Sequence, residues 1–137
     1  MKTQGEIEAA VCQVIASFEQ EYMGRGPKDI QTHLWGDVLV IRLRGVLTAA
    51  ESHLVKTLEP AKGRDLLKQV RTQLIELARP VLDAMVEAAT GVKVLSLHHD
   101  ISTVTGEEIV LFTLSESPLV RAKKSRSVVP AGSVGSC

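Results

Sequence analysis

The sequence has few aromatic residues, no excess of charge and no long apolar run, and each shortage excludes a class of protein. Aromatic residues make up 3% of the 137 positions, so few side chains can stack on bases or sugars. Sixteen basic and sixteen acidic residues cancel, which leaves no broad positive field to attract nucleic acid. The apolar runs are far shorter than the roughly 20 residues of a membrane-spanning helix. We therefore expect neither nucleic-acid binding nor direct membrane insertion.

The two cysteines and the N-terminal segment indicate a cytoplasmic protein. Cys12 falls in a predicted helix and Cys137 is the last residue, and neither has the spacing of a metal ligand. We expect Cys12 to be a small core residue and expect no disulfide between the two. The first residues pass into an amphipathic, acidic pattern instead of the apolar segment of a secretory signal.

Changes in residue spacing predict a helix and then a β-hairpin early in the chain. Apolar residues recur at helical spacing over residues 4–23, after a capping box. The spacing changes to two over residues 29–44, on both sides of a turn at Gly36-Asp37. We therefore predict a hairpin in which Arg42 and Arg44 point away from the apolar face.

The middle and later parts of the chain predict two more helices and a second hairpin. A second capping box begins a short helix that ends near residue 58. Helical spacing then predicts a long helix over 63–89 from Leu66, Val70, Leu74, Leu77, Val81 and Met85. Pro80 lies inside it and is expected to kink or split it. Strands are predicted over 92–99 and 108–114. The second of these strands is almost entirely apolar, which predicts a central position in the sheet.

These elements predict an α+β fold with the order α-ββ-α-α-ββ. The two hairpins form a four-stranded, mainly antiparallel sheet, and the helices pack on one of its faces. We assign residues 1–117 to this single domain. Residues 118–137 are rich in Ser, Lys, Arg, Pro and Gly without periodicity, so they are predicted to be a disordered tail.

Arginines around the first hairpin form the main candidate for a binding site. Exposed amides around Arg25 and Gly26 follow a helix and can form an anion nest, although a simple helix stop explains the glycines equally well. Alternate strand residues share a face, so Arg42 and Arg44 can join them. We predict that Arg25, Gly26, Arg42 and Arg44 bind an anion or a partner protein.

The sequence contains no recognisable catalytic set. His98, His99 and Asp100 are weak candidates for metal ligands, because adjacent strand residues point to opposite faces. No Ser, Thr or Cys stands beside an oriented base. Most of the acidic residues are expected at helix caps or on helix faces, not together in a pocket. We therefore expect neither an enzyme nor a cofactor.

An ordered set of motifs extends through most of the chain. The motifs are Gly24-Arg25-Gly26-Pro27, Gly36-Asp37, Arg42-Leu43-Arg44-Gly45-Val46-Leu47-Thr48 with Glu51, Gly63-Arg64 with Arg71, Gly91-Val92-Lys93-Val94, Asp100-Ile101-Ser102-Thr103 with Gly106, and Val110-Leu111-Phe112-Thr113-Leu114. This combination resembles the MpsC-like family over about residues 5 to 115. Members of that family are described as the soluble third component of a sodium-translocating, membrane-potential-generating system, linked to sodium-dependent uptake of inorganic carbon.

The resemblance implies an accessory or regulatory role without ion conduction, and it supplies no catalytic residues. We expect a non-catalytic cytoplasmic protein that acts through protein contacts as a homodimer. A membrane transport subunit would hold it at the inner face of the membrane. The alternative is a small module that binds an anion or metabolite through the arginine cluster.

Overall fold

The computed structural model of the protein describes residues 1–57 and 59–121. The elements in this part are α1 (Gln4–Tyr22), β1 (Asp29–Trp35), β2 (Val38–Arg44), α2 (Ala49–Thr57), α3 (Pro60–Thr90), β3 (Val94–Ile101) and β4 (Glu108–Leu114). The predicted α+β class and the order α-ββ-α-α-ββ are confirmed.

The four strands form one antiparallel sheet in the order β1-β2-β4-β3. β4 is therefore central, as its apolar sequence predicts. Alternate residues of β1, β2 and β4 are buried beneath the helices, with α1 against β1 and α3 against β3. The opposite, uncovered face of the sheet carries Gln31, His33, Trp35, Val38, Val40, Arg42, His98, Ile109, Leu111 and Thr113. Arg42 thus points away from the apolar face, as predicted.

Local signals begin α1 and α2 where the sequence predicts. The Thr3 hydroxyl accepts a hydrogen bond from the Glu6 amide at 3.2 Å, and the Glu6 carboxylate accepts one from the Thr3 amide at 2.8 Å. Thr48 and Glu51 repeat this capping box before α2, at 3.1 and 2.9 Å. Gly24 adopts a φ of 80°, which lets the chain turn away after α1. α3 begins at Pro60 and not at the predicted residue 63, because proline is tolerated in the first turn of a helix, and β3 (Val94–Ile101) lies slightly later than the predicted 92–99.

The first hairpin turns at Gly36-Asp37, as predicted, and its geometry resolves the turn type. Trp35 pairs with Val38, so the connection has two residues. Gly36 has a φ of 62°, whereas Asp37 does not adopt a positive φ. A glycine with positive φ at the first central position fits a type II′ turn, which matches the twist of the flanking strands.

α3 continues through Pro80 as one helix and is not split. Proline removes the N–H that would bond the carbonyl of Glu76. Both residues are exposed, so water can satisfy that carbonyl and the helix can continue. The helix ends at Gly91, whose φ is 80° and whose amide donates to the Glu87 carbonyl at 2.7 Å.

α3 has two apolar faces, and one of them packs on the rest of the domain. The buried face consists of Leu67, Ile75, Ala78, Leu82 and Val86 together with Arg71. The other face, here called the α3 stripe, consists of Leu66, Val70, Leu74, Leu77 and Val81, which are 37–79% exposed. The residues whose spacing predicts the helix are therefore mainly on its outer side. No helix in the described ranges is long and apolar enough to span a membrane.

Residues 115–121 return along the N-terminal end of α1. Pro118 is buried, and the Arg121 amide donates a hydrogen bond to the Lys2 carbonyl at 2.8 Å. The Arg121 guanidinium lies 3.5 Å from the Glu6 carboxylate. Pro118 and Arg121 of the predicted tail thus contact the domain, and residues 122–137 lie outside the described residues.

Cys12 is a core residue, as predicted. It is 2% exposed, and its Sγ lies 3.1 Å from the Thr32 hydroxyl. Cys137 lies outside the described residues, and so does the expectation about a disulfide between the two cysteines.

Candidate functional site

A buried group of charged residues lies where α1, α2, α3 and β4 meet. At its centre the Arg71 side chain of α3 is 1% exposed. Its Nη2 donates to Glu51 Oε1 at 2.8 Å and its Nε to Glu51 Oε2 at 3.2 Å. Its Nη1 lies 3.5 Å from Glu108 Oε1 and 3.7 Å from Glu19 Oε1. We call Arg71, Glu19, Glu51 and Glu108 the Arg71 cluster.

Four separate elements bring these side chains together. Glu51 is fixed by its capping box with Thr48, which turns the carboxylate toward α3. Glu108 is the first residue of the central strand, on the face that the helices cover. Glu19 lies in the last turn of α1, and its side chain is 4% exposed. The packing that buries the core therefore also closes the cluster from water.

The cluster holds three carboxyl groups around one guanidinium, and burial shifts their pKa values apart. Burial and, to a smaller extent, the charge of Glu108 together raise the pKa of Glu19 to about 8, against the effect of Arg71. Burial also raises the pKa of Glu108 to about 7. Burial acts in the same direction on Glu51, but hydrogen bonds from Arg71 and Thr48 outweigh it and lower that pKa. Glu51 is thus the ionised partner of Arg71.

The edge of the cluster contains polar atoms that lack hydrogen-bond partners among the described residues. They are Glu19 Oε1, Glu108 Oε2 and His99 Nδ1. His99 Nδ1 lies 3.9 Å from Glu108 Oε2, and burial lowers the pKa of His99. At 3.9 Å the two side chains are not hydrogen-bonded, so each leaves a buried polar atom without a hydrogen-bond partner among the described residues.

The three predicted arginines make three separate contacts. They are a hydrogen bond of 3.2 Å from Arg25 to the Leu47 carbonyl, an ion pair of 2.7 Å between Arg42 and Glu107, and an ion pair of 3.7 Å between Arg44 and Asp29. Gly26 donates its amide to Gln20 Oε1 at 3.1 Å, which closes the turn after α1.

Arg25 nevertheless lines a cavity with two other cations. The cavity has a volume of about 410 Å³, and Lys28 and Lys56 line it beside Arg25. Its other lining residues are Gly45, Leu47, Ser52, Val55, Thr103, Val104, Thr105 and Gly106, so no carboxylate is among the residues assigned to it. We call it the basic cavity. Arg42 and Arg44 are not part of its lining.

The predicted metal triplet has its side chains directed to different partners. His98 Nε2 lies 3.3 Å from the Ser96 hydroxyl on the uncovered face. His99 lies on the covered face, opposite to His98 as predicted, with Nε2 3.5 Å from the Thr72 hydroxyl. Asp100 pairs with Lys68 at 2.8 Å. Across residues 1–57 and 59–121, no group of three or more His, Cys, Asp or Glu residues is arranged to hold a metal ion.

Sequence reasoning missed the Arg71 cluster. The expectation that acidic residues do not come together in a pocket is wrong for Glu19 and Glu108, because tertiary packing buries both beside Arg71. Two signals could have identified the cluster. Glu108 begins an otherwise apolar central strand, and Arg71 lies midway between Leu67 and Ile75 at helical spacing on the buried face.

Comparison with known proteins identifies the family. Residues 3–116 match the family described as "Na+-translocating membrane potential-generating system (MpsC)". The chain belongs to the MpsC family. The matched range contains all the described helices and strands, and it includes the whole Arg71 cluster.

A curated relative supports membership of the MpsC family. The chain is 34% identical over 113 residues to "Uncharacterized protein YbcI" of Bacillus subtilis (strain 168). The aligned region covers 82% of this chain and 89% of YbcI. No solved structure matches the chain. The resemblance found in the sequence motifs is thereby confirmed at the level of the family.

Proposed function

We propose that the chain is a non-catalytic accessory or regulatory protein of a sodium-dependent membrane transport or bioenergetic system. The family match over residues 3–116 carries this proposal, because it spans every described helix and strand. On this proposal, the protein works in the cytoplasm and a transport subunit holds it at the inner face of the membrane. Uptake of inorganic carbon is the process that we propose for the system.

The inaccessibility of the Arg71 cluster supports a non-catalytic role. The side chains of Arg71, Glu19 and Glu108 are 1%, 4% and 0% exposed. A substrate would have to open the core to reach them, whereas catalytic groups normally line a cleft that a substrate can enter. We therefore propose that the cluster fixes the positions of α1, α2, α3 and β4 relative to one another.

Exposed apolar surface supports a role in protein contacts. Trp35 is 62% exposed on the uncovered face and stacks on His33, with ring centroids 5.6 Å apart. The α3 stripe adds a second exposed apolar surface. Contiguous surfaces of this kind usually mark interaction sites. We propose that the protein acts as a homodimer within its assembly.

Reciprocal purification from native membranes tests this function. The chain, tagged and expressed at its natural level, is cross-linked in cells and purified, and its partners are identified by mass spectrometry. We expect subunits of a sodium-dependent transporter, and we expect a tag on that transporter to recover this chain. Recovery of no membrane protein in either direction would contradict the proposal.

The basic cavity favours a second candidate function, the binding of a small anion. Three cationic side chains line this cavity, and a hydrogen bond to the Leu47 carbonyl holds Arg25 against the segment between β2 and α2. Paired cations of this kind suit bicarbonate or the phosphate of a metabolite. The candidate site in the structure therefore contains Arg25, Lys28 and Lys56, and it does not contain the predicted Arg42 and Arg44.

Thermal melts and titration calorimetry with bicarbonate, phosphate and phosphorylated metabolites test anion binding. We expect one anion to raise the melting temperature of the wild type, and we expect Arg25→Ala and Lys56→Ala each to abolish the shift. Arg44→Ala is the matched control, because Arg44 lies outside the cavity and pairs with Asp29. Equal shifts in the wild type and in both cavity variants, or no shift with any anion, would refute this function.

A further inference from the structure

The basic cavity is lined by cations that no carboxylate neutralises. Each of the other described arginines pairs with a carboxylate, and they are Arg42, Arg44, Arg64, Arg71, Arg79 and Arg121. Within residues 1–57 and 59–121, Arg25 makes no such pair, and neither do Lys28 and Lys56. The residues assigned to the cavity include no Asp or Glu, so the positive charge of the three side chains is available to a ligand.

The backbone around the cavity positions these cations. Arg25 Nη1 donates a hydrogen bond to the Leu47 carbonyl at 3.2 Å. A Cβ atom at Gly45 would lie 2.7–2.9 Å from three carbons of the Lys28 side chain, so that side chain crosses a gap that only glycine leaves open. Lys56 comes from the last turn of α2. Three separate segments thus each supply one cation to the same cavity.

The number of cations favours a phosphate monoester over a singly charged anion. A phosphate monoester carries a charge of about −1.5 to −2 near neutral pH and has three strong acceptor oxygens. The planar guanidinium of Arg25 can bind two of these oxygens, and the ammonium groups of Lys28 and Lys56 act as point charges beside them. Bicarbonate carries a single negative charge and would leave most of the positive charge unbalanced.

The size and walls of the cavity favour an organic group attached to that phosphate. Its volume of about 410 Å³ equals that of on the order of a dozen water molecules at about 30 Å³ each, so an inorganic ion would fill only a small part of it. Pockets of about 300–1,000 Å³ usually hold small organic ligands. Leu47, Val55 and Val104 supply apolar wall to the cavity, against which the carbon atoms of such a ligand can pack.

The remaining lining residues distinguish a sugar from a nucleobase. Ser52 and Thr103 line the cavity, and neither hydroxyl has a hydrogen-bond partner in the described part of the chain. A hydroxyl both donates and accepts, so these two side chains match the hydroxyl groups of a sugar. The residues assigned to the cavity include no aromatic side chain, whereas proteins commonly hold an unpaired base by stacking it on one.

We propose that the basic cavity binds a sugar phosphate. Arg25, Lys28 and Lys56 hold the phosphate, and the sugar lies against the apolar wall with its hydroxyls toward Ser52 and Thr103. The ligand contacts α2 and the turn between β3 and β4 together, because both line the cavity. This inference rests on the anion-binding function proposed above and names the class of its ligand.

Titration calorimetry of the purified full chain tests the proposal. The probes are glucose 6-phosphate and ribose 5-phosphate, compared with inorganic phosphate, glucose and AMP. We expect the tighter-binding sugar phosphate to bind on the order of 10-fold more tightly than inorganic phosphate and on the order of 100-fold more tightly than glucose. AMP should bind less tightly than that sugar phosphate, because no aromatic side chain lines the cavity.

Two variants separate the phosphate contacts from the sugar contacts. Lys28→Ala should weaken binding of the sugar phosphate and of inorganic phosphate alike, on the order of 10-fold. Ser52→Ala should weaken binding of the sugar phosphate roughly 5-fold and leave that of inorganic phosphate unchanged. Lys93→Ala is the matched control for the loss of a charge, because Lys93 is exposed and lies outside the cavity. Circular dichroism should show that all three variants are folded.

The results that would overturn the proposal also show which part of it fails. Equal affinities for the sugar phosphates and inorganic phosphate would refute the sugar phosphate and leave anion binding intact. Tighter binding of AMP than of both sugar phosphates would assign the cavity to a nucleotide. Equal losses in Lys28→Ala and Lys93→Ala would place the site elsewhere. No binding of any phosphate compound would refute both the ligand class and the anion-binding function.

Discussion

Replacing Arg71 by methionine removes the cation from the centre of the Arg71 cluster. Methionine keeps much of the length and apolar contact of the side chain, so the change mainly removes charge and hydrogen bonds. The side chains of Arg71 and Glu108 are 1% and 0% exposed, so water cannot replace the lost contacts. Removing one partner of a buried ion pair typically costs about 3–5 kcal/mol. That is a large part of the roughly 5–15 kcal/mol by which a domain is stable.

The cost of Arg71→Met should depend on pH. At pH 8.5 the carboxyls of Glu19 and Glu108, with pKa values of about 8 and 7, are ionised in the wild type and need the guanidinium. At pH 5.5 both are protonated, so the loss is mainly that of the hydrogen-bonded ion pair with Glu51, which stays ionised and is 21% exposed, at about 1–3 kcal/mol. We therefore expect the variant to be destabilised more at the higher pH.

Urea denaturation followed by circular dichroism measures both quantities. Arg79→Met, in the same helix, is the matched control, since Arg79 and Asp83 form a partly exposed pair. Such pairs contribute less than about 1 kcal/mol. Equal losses of stability in Arg71→Met and Arg79→Met, or a loss in Arg71→Met that does not grow from pH 5.5 to 8.5, would refute the account of the cluster.

Three further substitutions test the electrostatics and the backbone. Glu19 has a pKa of about 8 in the folded chain and about 4.5 otherwise, so the folded state binds more protons between these values and wild-type stability falls as pH rises through them. Residue 19 cannot titrate in Glu19→Gln, so the free energy of unfolding of the variant relative to that of the wild type should rise from pH 5.5 to 8.5, by about 3 kcal/mol at most. A difference that stays constant with pH in urea denaturation would contradict this. Pro80→Ala should stabilise the protein by about 1–3 kcal/mol in urea denaturation, because proline is unfavourable inside a helix such as α3. A loss of stability in this variant would contradict the continuous helix. Thr48→Ala should cost about 1 kcal/mol in the same assay by removing the cap of α2, and no change would argue against the capping box.

The parts of the fold that depend on local signals could be predicted from the sequence. The capping boxes, the turn at Gly36-Asp37 and the alternation in β2 each involve residues a few positions apart, so their meaning does not depend on the rest of the chain. The central position of β4 could also be predicted, because its apolar sequence distinguishes it from an edge strand.

The candidate sites depend on residues that are distant in sequence. Glu19 and Glu108 reach Arg71 from different elements, so the local sequence around each residue does not show that the three side chains meet. Arg25 and Lys56 meet in the basic cavity for a similar reason. Periodicity identifies α3 as a helix but does not decide which of its two apolar faces packs on the sheet, since that choice belongs to tertiary packing.

A sodium pulse applied to whole cells tests the central claim, the role in a sodium-dependent membrane system, most directly. The host lacking this chain, the parent strain and a complemented strain are loaded with a potential-sensitive dye and given matched pulses of NaCl or KCl. We predict that deletion reduces the sodium-dependent change in membrane potential and that the wild-type chain restores it. A deletion strain whose response to sodium equals that of its parent would contradict the account.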